Sequence, residues 1–243
     1  PGSAHIHTVY SFGGPALPQR VLGVVAGVLG SLLADFGVRA APKSSISWET
    51  ANRLPLPGDD VSAQILLRTL RLNCVTDAYA DLWADCFDPA FTDDSWTGLP
   101  ERSGFVDLGD VGPVWTPATP LRRAEDRRQA LLEIDALVAL SLGLTADELC
   151  TIYRTQFPVL YGYDRNRDHF DVNGRIVPNS VLTLWRKKGG NEGRYSRDEL
   201  TATHPGSGVQ YVYELPFEAL DREQDMRIAY AEFERRVAER ERP

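Results

Sequence analysis

Apolar and polar residues alternate from Ser3 to Phe12, which predicts a half-buried strand ended by Gly13-Gly14-Pro15. Val21 to Phe36 reads as one buried helix, with Gly37 as its stop. Gly23, Gly27 and Gly30 weaken that helix but let another backbone come close, so tight packing has to compensate. Ala40 to Ser47 is loop, and Leu54-Pro55-Leu56-Pro57 is extended because each proline confines its predecessor. Val61 to Phe87 predicts a long helix or a helical pair, with Ile65, Leu66, Leu70, Tyr79, Leu82 and Trp83 as its apolar stripe.

Asp88 to Thr119 is rich in proline and glycine and reads as an irregular connection. Thr119 and Pro120 have the chemistry of a helix start, and Leu131, Ile134, Val138 and Leu142 then fall on one face. Thr145 and Glu148 form a capping box that opens a further helix to about Gln156, so the pair makes a helical hairpin joined at Gly143. Asn173-Gly174 signals a β-hairpin, because both residues tolerate positive φ. Pro178 to Lys188 predicts a short helix with Trp185 inward, and Ser196 to Glu199 a second capping box. Val209, Tyr211, Tyr213 and Leu215 alternate as a strand, and Glu218 to about Arg240 is a charged helix docking through Met226, Tyr230, Phe233 and Val237. The fold class expected is α+β, mainly α-helical with short antiparallel strands and hairpins.

Composition changes this picture in three ways. With 243 residues, 43% of them hydrophobic, the chain has material for one good core or two modest ones, which argues against global disorder. The uncharged stretch Val21 to Ala34 falls short of the ~20 apolar residues that cross a bilayer and lacks a signal peptide's pattern, so a cytoplasmic protein without a membrane partner is expected. Cys74, Cys86 and Cys150 are odd in number and show no CxxC spacing, which leaves buried reduced thiols as the expectation. The opening Pro1-Gly2-Ser3, without a Met and followed at once by strand patterning, leads us to expect further sequence upstream.

The net charge of −8 argues against nucleic acid, but the charge is unevenly spread. Residues 1–58 are net +2, residues 59–110 net −8, and residues 151–197 net +5. Two basic segments flank an acidic one, so a local DNA-facing surface is open to the chain, beside the plainer reading of solvated charge.

The search for reaction chemistry returns little. A methyltransferase of the common class needs a glycine-rich cofactor turn and a polar-Pro-Pro-aromatic loop. Asp88-Pro89-Ala90-Phe91 comes nearest to the second and reads better as a helix-ending turn. A Mg²⁺ nuclease needs a carboxylate two residues before a lysine, where this sequence has Ala41, Trp185 and Arg186. His5 and His7 share a strand face without a carboxylate or cysteine cluster nearby in sequence, and His204 with Ser207 is too common a pairing to weigh.

Several phrases, taken in order, resemble the C-terminal region of adenine-specific DNA methyltransferases from type IIG restriction enzymes and from BREX or phage growth limitation systems. They are His5 to Ser11; Val21 to Phe36; Ser45 to Pro57 with its Arg-Leu-Pro-Leu-Pro exit; and Asp126-Arg127-Arg128 through Leu131-Leu132-Glu133-Ile134-Asp135-Ala136 to Leu142-Gly143-Leu144-Thr145. Asn173-Gly174-Arg175 and Leu215 to Glu234 continue the likeness. Gly30-Ser31 departs from the family's Asn-Ser, and Leu142 from its usual aromatic.

The resemblance implies that residues 1–58 end a target-recognition domain and residues 59–243 form a helical C-terminal domain with a small β-hairpin element. The parent would transfer methyl from S-adenosylmethionine to adenine N6 on an N-terminal domain absent from this chain, which itself would hold neither cofactor nor catalytic residue. Double-stranded DNA and that N-terminal domain are the implied partners, together with other proteins of the defence system. Lys43, Ser44 and Ser45, with Arg39 and Arg53, are the first candidates for DNA contact. Arg165, Arg167, Arg175, Arg186, Lys187 and Lys188 are the second set, expected to hold phosphates more than to read bases. The acidic 59–110 segment and the charged last helix keep open an interaction module that tethers a methyltransferase to its complex. A self-contained hydrolase is the third reading.

Overall fold

In the computed structural model, residues 17–40, 56–98 and 106–240 are described. The expected strand at 3–12, with His5 and His7, lies outside these residues, as do Leu54 and Pro55. Mainly helical α+β architecture is what the chain adopts: helices dominate, and Thr201–Thr203 (β1) pairs antiparallel with Gln210–Val212 (β2).

The expected helix over Val21–Phe36 is two helices, α1 (Gln19–Leu29) and α2 (Leu32–Ala40), bent by 68°. The break falls at Gly30-Ser31, where the Ser31 hydroxyl donates to the Val28 carbonyl and accepts from the Ala34 N–H. Gly37 is no stop, since α2 runs through it to Ala40. Gly23 and Gly27 place α1 against α3 (Asp59–Asn73), where they admit side chains of that helix. A Cβ on Gly27 would overlap the Thr69 hydroxyl and come within 2.8 Å of Ile65 Cγ2. Gly27→Ala is therefore expected to cost about 1–3 kcal/mol through overpacking, despite alanine's better helix propensity. Urea denaturation checks this, and a stabilised variant would show that α1 shifts freely on α3.

The Val61–Phe87 region is the predicted helical pair: α3, then a 3-10 turn at Asp77–Tyr79 running into α4 (Ala80–Cys86). Ile65, Leu66, Leu70 and Trp83 are buried as expected, whereas Tyr79 is exposed because the 3-10 turn rotates it off the stripe. α5 (Ala124–Ser141) begins at Ala124, not beside Thr119. The Thr119 hydroxyl accepts instead from the Thr116 N–H at 2.9 Å, and its carbonyl is taken by Arg71 Nε at 2.9 Å. α6 (Ala146–Gln156) opens on the predicted capping box, with Thr145 and Glu148 bonding reciprocally after a left-handed Gly143.

α5 is the axis of the molecule. It packs on α3 and on α9 (Arg222–Arg240), and two ion pairs, Arg128–Asp225 at 2.6 Å and Arg222–Asp135 at 3.1 Å, set α5 and α9 antiparallel. One core joins α1 to α6 and α9, including Leu33, Ile65, Trp83, Ile134, Leu149 and Phe233. Ile134 and Val138 lie in it as predicted, but Leu131 is exposed and Leu142 only half-buried.

A second, smaller core gathers Val177, Val181, Leu182, Tyr213 and Phe217, with Trp185 packed against it. α8 (Asn179–Lys187), β1, β2 and the Asn173-Gly174 turn belong to this module. Gly174 has φ +69°, and the Asp171 carboxylate accepts from the Asn173 and Arg175 N–H groups to close the turn. Among the described residues no single helix is long and apolar enough to cross a membrane; α1 and α2 qualify only as a bent pair, and Leu32, Leu33 and Ala34 are buried in the core.

Candidate nucleic-acid interface

After α6 the chain passes Phe157, whose following proline suits the first position of the short helix α7 (Pro158–Gly162). A π-helical turn, Tyr163–Arg167, continues it. Phe157, Tyr161, Tyr163, Arg165 and Arg167, three rings followed in sequence by two arginines, make up a ledge.

Arg39, in the last turn of α2, reaches this ledge from the other side, with its guanidinium 4.7 Å above the Phe157 ring. Its Nε and Nη2 donate to Asp35 at 3.0 and 2.9 Å. One helical turn beyond Phe157, the Tyr161 ring lies 4.9 Å beneath Arg165, which also donates to its hydroxyl. Arg167 lies 4.3 Å over Tyr163 and 3.6 Å from Asp168. Burial raises the Asp168 pKa and Arg167 opposes that shift. Arg186, at the end of α8, donates to the Asn166 carbonyl at 3.0 Å, which brings that helix terminus and the exposed Lys187 to the same ledge.

Arg39, Arg165, Arg167, Arg186 and Lys187 thus come from three elements, the end of α2, the π-helical turn and the end of α8, that meet around Phe157 and the turn after it. Aromatic rings seat three of the guanidiniums, so less side-chain freedom is lost when they meet an anion. Exposed Val159 and Tyr163 lie on α7 and that turn. Sequence reading missed the platform residues Phe157, Tyr161 and Tyr163; the signal was a run of aromatic residues followed at once by arginines.

Two candidates point elsewhere. Arg175 is an internal tie: Nε and Nη2 bind Asp171 at 3.0 and 2.5 Å, Nη2 reaches the Val212 carbonyl at 2.7 Å, and Tyr211 and Tyr213 flank it. Lys188 turns to Glu199, the capping residue of the predicted Ser196 box. Lys43, Ser44, Ser45 and Arg53 lie outside the described residues.

The other chemistry considered in the sequence also finds its place. Asp88 caps the 3-10 turn Pro89–Asp93, and Phe91 is buried against Trp83 and Phe87, where it cannot stack on a base. Ser207 lies 3.1 Å from His204 Nδ1 and closes the exposed β1–β2 connection. Burial, with Cys86 beside it, pushes the Cys74 thiol up to about 11, which suits an inert core residue. Among the described residues no group of three or more His, Cys, Asp or Glu could hold a metal ion.

Part of the acidic 59–110 segment is spent internally, with Asp88 on Arg20 and Asp94 on Arg68 and Arg236. No family model, curated protein or solved structure matches the chain.

Proposed function

We propose that this chain is the DNA-recognition and C-terminal portion of a site-specific adenine N6 methyltransferase of a restriction-modification or phage-defence system. The observation that carries the reading is that Arg39, Arg165 and Arg167 are each seated on an aromatic ring around the turn to which Arg186 is tied, in a chain of net charge −8. Arginines at a surface are suited to phosphate oxygens, and they position a duplex without reading it. Base discrimination falls in this reading to Lys43, Ser44 and Ser45, with Arg53 beside them. In this reading S-adenosylmethionine is held by the parent's N-terminal methyltransferase domain.

The test is binding to duplex DNA across a salt series. Replacing Arg39, Arg165, Arg167 and Arg186 by alanine is expected to weaken binding on all sequences alike and to lower the salt slope by roughly one unit for each phosphate contact removed. Replacing Lys43, Ser44 or Ser45 in the full-length parent is expected instead to relax discrimination at one or two positions, where a bidentate base contact is worth about 1–3 kcal/mol. Unchanged affinity and unchanged slope in the first set would overturn the reading.

The interaction-module reading keeps one observation of its own. Leu17, Val21, Leu29 and Leu56 are exposed on and beside α1. An absence of salt-dependent binding to duplex DNA would leave that surface as the better explanation of the chain.

A further inference from the structure

The arginines seated around Phe157 come from elements far apart in sequence: Arg39 from α2, Arg165 and Arg167 from the π-helical turn. Both elements are anchored on their inner side to one buried group, the guanidinium of Arg222 at the start of α9.

On the turn, Tyr163, Arg165, Asn166 and Arg167 are exposed while Asp164 is buried. Asp164 Oδ2 accepts from the Tyr153 hydroxyl at 2.7 Å and lies 3.8 Å from Arg222 Nη1. Tyr153, on α6, has almost no exposed surface. Its ring meets that of Tyr161 edge-on at 5.5 Å between centroids, and Tyr161 is the platform under Arg165. One tyrosine therefore holds the turn by its hydroxyl and the platform by its ring. Arg186 joins the same turn at the Asn166 carbonyl.

The α2 side hangs from the other arm of the guanidinium. Arg222 Nη2 donates to Asp135 Oδ2 at 3.1 Å, and Asp135 Oδ1 accepts from the Leu32 N–H at 2.8 Å. Leu32 opens α2, where backbone N–H groups have no partner inside the helix and a carboxylate is favoured by the helix dipole. Arg39 stands further along that helix, roughly 10 Å away by helical rise.

We propose that Arg222, Asp135, Asp164 and Tyr153 are positioning residues for the ledge, fixing Arg39 relative to Arg165 and Arg167 so that the three meet a duplex at a set spacing. One guanidinium compensates two buried carboxylates, so neither α2 nor the turn can shift without leaving charge unpaired away from water. Cations already held in place lose less freedom on binding the regularly spaced phosphates of a duplex. The assignment rests on the DNA reading of the ledge.

Affinity for a duplex of arbitrary sequence at fixed salt, measured as a double-mutant cycle, tests it. Tyr153→Phe keeps the ring and removes the hydroxyl from Asp164. It is expected to weaken binding about three- to tenfold in the wild-type background, and less than about twofold where Arg165 and Arg167 are already alanine. Equal losses in both backgrounds would mark a general structural effect and overturn the proposal, as would no loss in the first. Asp164→Asn keeps an oxygen for the Tyr153 hydroxyl and should bind DNA more tightly than Asp164→Ala. If Tyr153→Phe fails to fold, that comparison decides alone, and equal affinities of the two Asp164 variants sink the idea. The underlying reading is judged apart from it. Should the double alanine variant of Arg165 and Arg167 bind as the wild type does, the ledge does not bind DNA and its positioning falls too. Should that variant bind weakly while Tyr153→Phe binds normally, the positioning assignment alone is lost.

Discussion

Glu133→Ala is expected to remove about 3–5 kcal/mol of unfolding free energy, because it breaks a fully buried ion network from one side. Neither Glu133 nor Arg68 has exposed side-chain surface. Arg68 Nε donates to Glu133 Oε2 at 2.6 Å and Nη1 to Asp94 at 2.6 Å. Burial works against the Arg68 charge, and Asp94 and Glu133 together overcome it, holding the guanidinium above its ordinary pKa. The other oxygen of Glu133 accepts from the Thr97 N–H, the Thr97 hydroxyl and the Gln129 amide. An alanine leaves these donors unmet and the Arg68 charge half compensated, so the cost exceeds that of the lost contacts themselves.

Urea denaturation measures the loss, and Arg68→Met with Glu133→Leu supplies the control. The apolar pair no longer strands the Arg68 charge, so the double variant should recover part of the stability, while the Thr97 and Gln129 donors stay unmet as in the single variant. A single-variant loss below about 1 kcal/mol would place this network with ordinary surface pairs.

The same network shows why part of the fold was legible in the sequence and part was not. Local chemistry read true where it is self-contained: the Thr145–Glu148 box and the Asn173-Gly174 turn need only neighbouring residues, and both form. The stripe on α5 read less well. A one-sided stripe presumes one solvent face, but α5 is packed by α3, α6 and α9 together, and it buries Glu133 and Asp135 along with Ile134 and Val138. Asp135 accepts from the Leu32 N–H and from Arg222, partners 103 and 87 residues away. Polarity thus ceased to mark the outside, and Leu131 took an exposed position the periodicity had assigned inward.

Thr119 failed as a cap for a related reason, since Arg71 claims its carbonyl from 48 residues away. The candidate interface divides along the same line. Charge clustering found Arg165, Arg167 and Arg186, but only the fold seats Arg39 on Phe157 and turns Arg175 inward to Asp171.

The irregular connection over 88–119 was visible only as a proline- and glycine-rich stretch without periodicity, and Trp83 is the residue whose loss should expose what organises its described part. Its ring has no exposed surface, packs beside Phe87 and Phe91, and donates from Nε1 to the Gly112 carbonyl at 2.8 Å. Trp96 and Trp115 make the same kind of bond, to Val106 and Cys74, and Arg71 adds three more. The connection is therefore held by side chains that reach out from helices and loop to unpaired carbonyls, which is how a segment without a ladder satisfies its backbone.

Trp83→Ala is expected to cost about 3–5 kcal/mol as a large-to-small change in the core. Trp83→Phe retains most of the ring packing and loses the donor, so its cost should be nearer about 1–3 kcal/mol. Chemical denaturation ranks the two, and amide exchange over 106–121 shows where the loss is felt. A phenylalanine variant as damaged as the alanine one would mean that the bond to Gly112, more than the ring, fixes the connection. If neither variant changes exchange there, the tryptophan serves the α3–α4 core alone, and the carbonyl contacts of Arg71 are what hold the connection in place.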